Sequence, residues 1–170
     1  QSVAYVRILS NGSELWYFDI NSGQQKRLAK LNNQMINAIS WSPDNKKIAV
    51  EVKDANASAI YIVDLKKTQF FQLPIKRVTN PGNPVWSNDG SQLYFSSKQK
   101  GKFHLWSTTS DGDDLTLINN DAGARFQIDN SRALYFSRFG EAGLWKIQLN
   151  DLTLKPEKIT DKITEEFQFW

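Results

Sequence analysis

One feature recurs along the whole chain: a bulky aliphatic residue followed directly by an aromatic residue. The copies are Leu15-Trp16, Ile60-Tyr61, Leu105-Trp106 and Leu144-Trp145. The steps between successive copies are 45, 45 and 39 residues. A repeat of about 40–45 residues built from short strands is typical of a β-propeller, in which each repeat forms one small sheet, or blade. We therefore predict an all-β fold whose sheets cover one another, because a single blade cannot bury both of its faces.

A second pattern lies between the copies of the first: an aromatic residue, then Asp three positions later, then Asn or Gly. It occurs at Trp41–Asn45, Trp86–Gly90 and Phe126–Asn130. Asp accepts hydrogen bonds from its own backbone in turns, and Asn and Gly tolerate positive φ angles. The pattern predicts a hairpin between two strands. Since catalytic residues are seldom copied in every repeat, we interpret these aspartates as turn residues.

Each repeat is interpreted as four antiparallel strands. The first is an inner strand that ends at the aromatic residue, as at Ala38–Trp41. The second strands are predicted at Lys47–Val52, Gln92–Ser96 and Ala133–Ser137, the third at Ala59–Leu65, His104–Thr108 and Leu144–Leu149, and the fourth at Gln69–Leu73, Leu115–Ile118 and Glu157–Ile159. The 170 residues then give about four blades, at the low end of the usual range of about 4–8.

The two ends of the chain differ from the middle. Val3–Ile8, Glu14–Ile20 and Gln25–Leu28 are predicted as the last three strands of a first blade that has no inner strand. Glu166–Trp170 resembles an inner strand cut before its turn. We therefore predict one domain over residues 1–170, with three complete blades and one that is split or truncated. Two alternatives stay open: the terminal strand closes a ring of four, or the segment belongs to a longer propeller. Neither end shows the polar cap that terminal repeats need, so an isolated segment is expected to close or self-associate.

Composition excludes several classes of function. The chain has no cysteine, which excludes disulfides and thiol catalysis. Its formal net charge is +3 and its basic residues are scattered, whereas a nucleic-acid surface needs them on one face, so we predict no direct nucleic-acid binding. No apolar run approaches the roughly 18–20 residues that span a bilayer.

We predict no catalytic residue, no metal site and no cofactor. His104 is the only histidine and is interpreted as a strand-edge residue, because no Gly-x-Ser-x-Gly motif accompanies it. A zinc site needs further His or Cys ligands. Asp111–Asp114 departs from the spacing of an EF-hand and is interpreted as a solvated turn. The tryptophans are interpreted as packing between blades and not as a stacking platform: Trp16, Trp41, Trp86, Trp106, Trp145 and Trp170.

The repeats resemble those of TolB-like propellers, which are relatives of WD repeats. Trp41–Asn45, which reads Trp-Ser-Pro-Asp-Asn, and Ile60–Leu65 match that pattern closely. Trp86–Gly90 lacks the proline, and Phe126–Asn130 keeps only the aromatic residue and the Asp. The resemblance covers nearly the whole chain and implies an interaction propeller of the bacterial periplasm.

The resemblance implies three kinds of parent protein. One is a membrane-anchored transcriptional regulator of the CadC and ToxR type, in which a winged-helix domain binds DNA in the cytoplasm and a propeller senses ligands in the periplasm. The second is a TolB-type assembly protein of the cell envelope. The third is a prolyl oligopeptidase-like enzyme, whose propeller covers the active site. We expect a non-enzymatic binding or sensing module of the first kind, with the other two as alternatives.

The candidate binding residues lie in the loops that lead into the inner strands, around the expected central channel. A rigid scaffold that positions variable loops commonly carries function in this way. A protein, a peptide or a small molecule would bind there. The residues differ between repeats. Such variation is expected of a recognition surface and equally of loops without a function. They are Asn37, Asn83, Arg125 and Glu166.

Overall fold

The computed structural model describes residues 1–138, 140–149, 151 and 155–161. Within these ranges the chain forms fifteen β-strands in four antiparallel sheets and no helix. That part of the chain therefore contains no helix long and apolar enough to cross a membrane. The prediction of an all-β fold built from small antiparallel sheets is confirmed.

Strand order within each sheet follows chain order, so that every neighbouring pair is joined by a hairpin or a short connection. Sheet one contains β1 (Ser2–Leu9), β2 (Gly12–Asp19) and β3 (Gln25–Asn32). Sheet two contains β4 (Met35–Trp41), β5 (Lys47–Lys53), β6 (Ser58–Asp64) and β7 (Gln69–Gln72). Sheet three contains β8 (Pro81–Trp86), β9 (Leu93–Gln99), β10 (Lys102–Thr108) and β11 (Thr116–Ala122). Sheet four contains β12 (Phe126–Ile128), β13 (Ala133–Arg138), β14 (Glu141–Gln148) and β15 (Glu157–Thr160).

In the first three recurring pairs, the aliphatic residue packs against the sheet that follows. Leu15, Ile60 and Leu105 are each 0% exposed. Each belongs to a hydrophobic cluster shared with residues of the next sheet. Leu144 holds the same place in sheet four and is only partly buried. The core is thus divided into three layers, one between each pair of successive sheets.

The aromatic residue of each pair faces the preceding sheet. Tyr61 packs against the cluster between sheets one and two, Trp106 against the next cluster, and Trp145 against the last. Trp16 has no preceding sheet among the described residues and stacks on Tyr5, with 6.4 Å between ring centroids. The repeat spacing therefore marks one packing position in four successive sheets.

Trp86 shows how the inner strands are joined. It is 5% exposed within the cluster between sheets two and three. Its Nε1 donates a hydrogen bond of 3.2 Å to the backbone carbonyl of Ser40 in sheet two. Buried indole nitrogens generally require such a partner. Trp170 lies outside the described residues.

The recurring aspartates are turn residues. The Ser42 hydroxyl donates to Asp44 Oδ1 at 2.7 Å, and the backbone N–H of Lys46 donates to the same oxygen at 3.1 Å. These bonds lower the pKa of Asp44 to about 2, and the bond from the Ser42 hydroxyl has the largest effect. Asn45 follows with a φ of 56°, as the turn requires. In the next copy, hydrogen bonds led by the Ser91 hydroxyl lower the pKa of Asp89.

The described residues form an open stack of sheets. The three clusters join sheet one to two, two to three and three to four. On β1, Val3 is 43% exposed and Tyr5 is 37% exposed. The terminal segment 162–170, which could have completed sheet one, lies outside the described residues.

Candidate ligand-binding site

A cavity of about 650 Å³ lies at one end of the sheets, where β4, β8 and the connection before β12 meet the β5–β6 hairpin. Asn37, Asn83 and Arg125, three of the residues predicted from the repeat, line this cavity. They come from three successive sheets. Glu166, the fourth predicted residue, lies outside the described residues. The structure therefore brings three widely separated positions into one site.

Asn37 lies within β4 and Asn83 within β8, not in the loops before these strands as predicted, and each lies at a β-bulge. The register of β4 against β5 shifts between Ile36 and Ala38, and that of β8 against β9 shifts between Gly82 and Val85. Asn83 has a φ of 55°, a conformation that asparagine tolerates better than most residues. A bulge leaves its extra residue outside the ladder of paired residues. The two asparagines are thereby free to line the cavity.

Glu51 of β5 ties sheet two to sheet three beneath the cavity. Its carboxylate accepts a 2.8 Å hydrogen bond from the backbone N–H of Asn83 and a 3.3 Å hydrogen bond from Asn37 Nδ2. A Cβ atom at Gly82 would lie 3.0 Å from the Cδ and Oε2 atoms of Glu51. Glycine therefore allows the carboxylate to approach the backbone of β8 closely. We assign Glu51 to the support of the cavity wall.

A second set of hydrogen bonds ties sheet three to sheet four. Asn83 Nδ2 donates to the carbonyl of Ala124 at 2.6 Å. The hydroxyl of Ser96, which is 4% exposed, donates to the same carbonyl at 2.9 Å. The backbone directly before Arg125 is therefore held in place, while the Arg125 side chain is exposed.

The β5–β6 hairpin forms a fixed rim. Asp54 Oδ1 accepts hydrogen bonds from the backbone N–H groups of Asn56 at 2.8 Å and Ala57 at 2.9 Å. These bonds lower the pKa of Asp54, and the bond from the Asn56 N–H has the largest effect. Ser58 then joins the hairpin to β8: its N–H donates to Asn80 Oδ1 at 3.1 Å. Both sides of the cavity mouth are thus held by hydrogen bonds.

The cavity is polar and carries more cations than carboxylates. Lys53, Lys98 and Arg125 line it and are exposed. Glu51 is the one carboxylate among the lining residues that the structure describes, and its two oxygens accept the hydrogen bonds given above. Phe103 supplies an aromatic wall, with Lys98 Nζ 5.7 Å from the ring centroid. The site can therefore offer several hydrogen-bond donors and positive charge to a ligand.

His104 does not line the cavity. Its ring is stacked against Trp106 with 6.4 Å between centroids, and its Nδ1 is buried without a hydrogen-bond partner in the part of the chain that is described. In that same part, no group of three or more His, Cys, Asp or Glu side chains is placed to hold a metal ion.

A second recess lies between sheets one and two, with a volume of about 430 Å³. Tyr17, Leu28, Leu65 and Lys66 are among its lining residues. Asn37, Asn83 and Arg125 do not line it.

Sequence reasoning missed Glu51, Lys53 and Lys98, because they lie within or at the ends of predicted strands and not in the loops before the inner strands. A signal for the bulge is nevertheless present. Asn80–Pro84 contains only Asn, Pro and Gly, which mark turns and bulges when they interrupt a strand pattern.

Antiparallel sheets that repeat in chain order, with their inner strands in contact and their faces packed on one another, define the β-propeller class. The family model described as TolB beta propeller domain matches residues 1–166. The chain therefore belongs to the TolB β-propeller domain family.

Solved structures share this fold. TolB from Acinetobacter baumannii superimposes with a TM-score of 0.71 at 16% identity, covering 97% of this chain and 42% of that one. The putative TolB from Agrobacterium tumefaciens gives a TM-score of 0.74 at 16% identity, covering 94% and 61%. A structure from an analysis of two prolyl endopeptidases gives a TM-score of 0.68 at 16% identity, covering 95% of this chain and 28% of that one. The chain thus spans about two fifths to three fifths of the TolB chains that it matches.

Proposed function

We propose that this chain is a non-enzymatic binding propeller and that the cavity lined by Asn37, Asn83 and Arg125 is its recognition site. The observation that supports this most strongly is that one cavity collects residues from three successive repeats, each near the start of an inner strand. Its volume of about 650 Å³ lies within the roughly 300–1,000 Å³ typical of ligand pockets.

The chemistry of the lining supports binding over catalysis. Acyl transfer and proton abstraction need a nucleophile or a base within reach of the substrate. The carboxylate of Glu51 is occupied by hydrogen bonds to two neighbouring asparagines. The part of the lining that the structure describes contains no histidine and no aspartate. The groups that remain are amides, hydroxyls and cations, which suit recognition.

For the biological context, we propose a periplasmic location and a parent anchored in the inner membrane. That parent would be a winged-helix transcriptional regulator of the CadC and ToxR type, in which ligand binding to the propeller is sensed. The similarity to TolB supports a bacterial envelope protein and equally suits a TolB-type assembly protein. The parent reading frame separates these proposals: a winged helix and one hydrophobic span upstream would support the regulator.

A second candidate is the gating propeller of a prolyl oligopeptidase-like enzyme. It is favoured by the fold similarity to the prolyl endopeptidase structure. An α/β-hydrolase domain with a Gly-x-Ser-x-Gly motif, encoded next to this segment, would establish it over the regulator.

A selection experiment tests the binding function directly. A random dodecapeptide phage library is selected on the immobilised 170-residue chain, and the enriched peptides are measured by fluorescence anisotropy. Ala55 lines the cavity and is exposed, so Ala55→Tyr fills the site with little effect on folding. Lys67→Tyr, on an exposed turn at the other end of the sheets, is the matched control. We expect Ala55→Tyr to abolish binding and Lys67→Tyr to leave it unchanged; peptides that bind both variants equally would refute the assignment of the site.

A further inference from the structure

The charges in the cavity indicate what kind of ligand it selects. Lys53, Lys98 and Arg125 line it, against one carboxylate, that of Glu51. The whole chain has a formal net charge of only +3. The described lining residues of this cavity therefore carry a net positive charge.

Glu51 supplies the carboxylate that opposes these cations. Its two oxygens accept hydrogen bonds from the backbone of Asn83 and the side chain of Asn37. It also lies against Gly82, where even a Cβ atom would be 3.0 Å away. Its charge is thus shared with donors in the cavity wall.

Arg125 differs from three of the other five arginines of the chain. Arg27, Arg132 and Arg138 pair with carboxylates at 3.0, 3.0 and 3.6 Å. Arg125 makes neither a hydrogen bond nor an ion pair to any residue that the structure describes. Its planar guanidinium is well suited to bind a carboxylate through two parallel hydrogen bonds.

We propose that the cavity recognises an acidic peptide segment, whose carboxylates are bound by Arg125, Lys53 and Lys98. This inference rests on the proposed binding function and adds the class of ligand to it. The amide side chains of Asn56 and Asn80 also line the cavity and supply polar groups for a peptide backbone. Phe103 covers one side, where an apolar side chain of the peptide can lie.

A peptide suits the cavity better than the other polyanions. Single-stranded nucleic acids stack successive bases on several aromatic residues along a basic groove. Among the described residues of the lining, Phe103 is the only aromatic one. Acidic sugars lack the backbone amides and apolar side chains that the polar rim and the ring of Phe103 can contact.

The test uses the whole 170-residue chain and three fluorescent probes in anisotropy titrations. The first is the blocked peptide Asp-Gly-Asp-Phe-Asp, the second its neutral analogue Asn-Gly-Asn-Phe-Asn, and the third a galacturonic acid pentamer. Each good charge-assisted contact changes affinity by about tenfold or more. We expect the acidic peptide to bind at least about tenfold more tightly than the neutral one, and we expect that preference to weaken at high salt.

Variants locate the effect. Arg125→Gln should reduce the affinity for the acidic peptide by about tenfold and leave the affinity for the neutral peptide unchanged. Lys67→Gln removes an exposed charge from a distant turn and should change neither. Ala55→Tyr should abolish binding of both peptides. Thermal unfolding of each variant verifies that the fold is intact.

The outcomes separate the two proposals. Equal affinity for both peptides, lost in Ala55→Tyr, would retain the binding function and overturn the acidic preference. Tighter binding of the galacturonic acid pentamer would overturn the assignment to a peptide. Binding of the acidic peptide that is unchanged in Ala55→Tyr would place it outside the cavity and also overturn the inference. Absence of binding by all three probes would overturn it as well, and the library selection would then decide the binding function alone.

Discussion

Replacement of Leu105 by alanine tests whether successive sheets bury one another. Leu105 is 0% exposed and belongs to a cluster with Phe126, Leu134 and Phe136 of sheet four. The substitution removes three carbon atoms, and at about 0.8 kcal/mol for each buried group the transfer term is about 2.4 kcal/mol. The cavity that remains adds to this, and measured losses for such changes are about 2–5 kcal/mol. We expect a loss of about 3 kcal/mol in the free energy of unfolding.

Leu144→Ala is the matched control, because Leu144 holds the same position in sheet four. It is partly exposed, and no further sheet follows it among the described residues. Its replacement should cost less than about 1 kcal/mol. Urea unfolding, followed by both tryptophan fluorescence and circular dichroism, measures the two losses and checks that the transitions coincide. Equal losses for the two variants would refute the packing of each aliphatic residue against the next sheet.

Three further predictions concern the turns, the cavity wall and the inner strands. The hydroxyl of Ser42 holds the pKa of Asp44 at about 2. The ionised turn therefore stabilises the fold fully above a pH of about 4 and less as the pH falls toward 2. In urea unfolding, the free energy of unfolding of Asp44→Asn should fall less over this pH window than that of the parent chain. Gly82→Ala should lower the free energy of unfolding by about 1–3 kcal/mol, because the added methyl group crowds Glu51. The loss should be smaller when Glu51 is also replaced by alanine, and a double-mutant cycle of thermal unfolding measures the difference. Trp86→Phe should cost about 1–3 kcal/mol, because it removes the hydrogen bond from Nε1 to the Ser40 carbonyl and leaves a gap in the cluster between sheets two and three, and urea unfolding measures this loss.

Much of the fold could be predicted because its signals are local. The aspartate turns are specified within five residues, as at Trp41–Asn45, and the strands on either side follow from their apolar pattern. The constant spacing of Leu15, Ile60 and Leu105 then indicates that the same packing contact recurs. Turn chemistry and repetition together were sufficient to predict the antiparallel sheets.

The candidate site could be predicted only in part. Position in the repeat pointed to Asn37, Asn83 and Arg125, which the structure places in one cavity. The role of Glu51 depends on how sheet two is placed against sheet three, which no local pattern encodes. The approach of the Glu51 carboxylate to Gly82 requires two bulges and a contact between sheets. The residues that determine the role of Glu51 are therefore spread over distant parts of the sequence.

The most direct test of the central claim is a nitrogen-15 NMR titration of the 170-residue chain with the blocked acidic peptide. If the ends of the inner strands form the recognition site, the largest shifts should appear at the amides of Ser58, Gly82, Asn83 and Arg125. Shifts concentrated instead around Tyr17 in the recess between sheets one and two, or spread evenly over the surface, would contradict it.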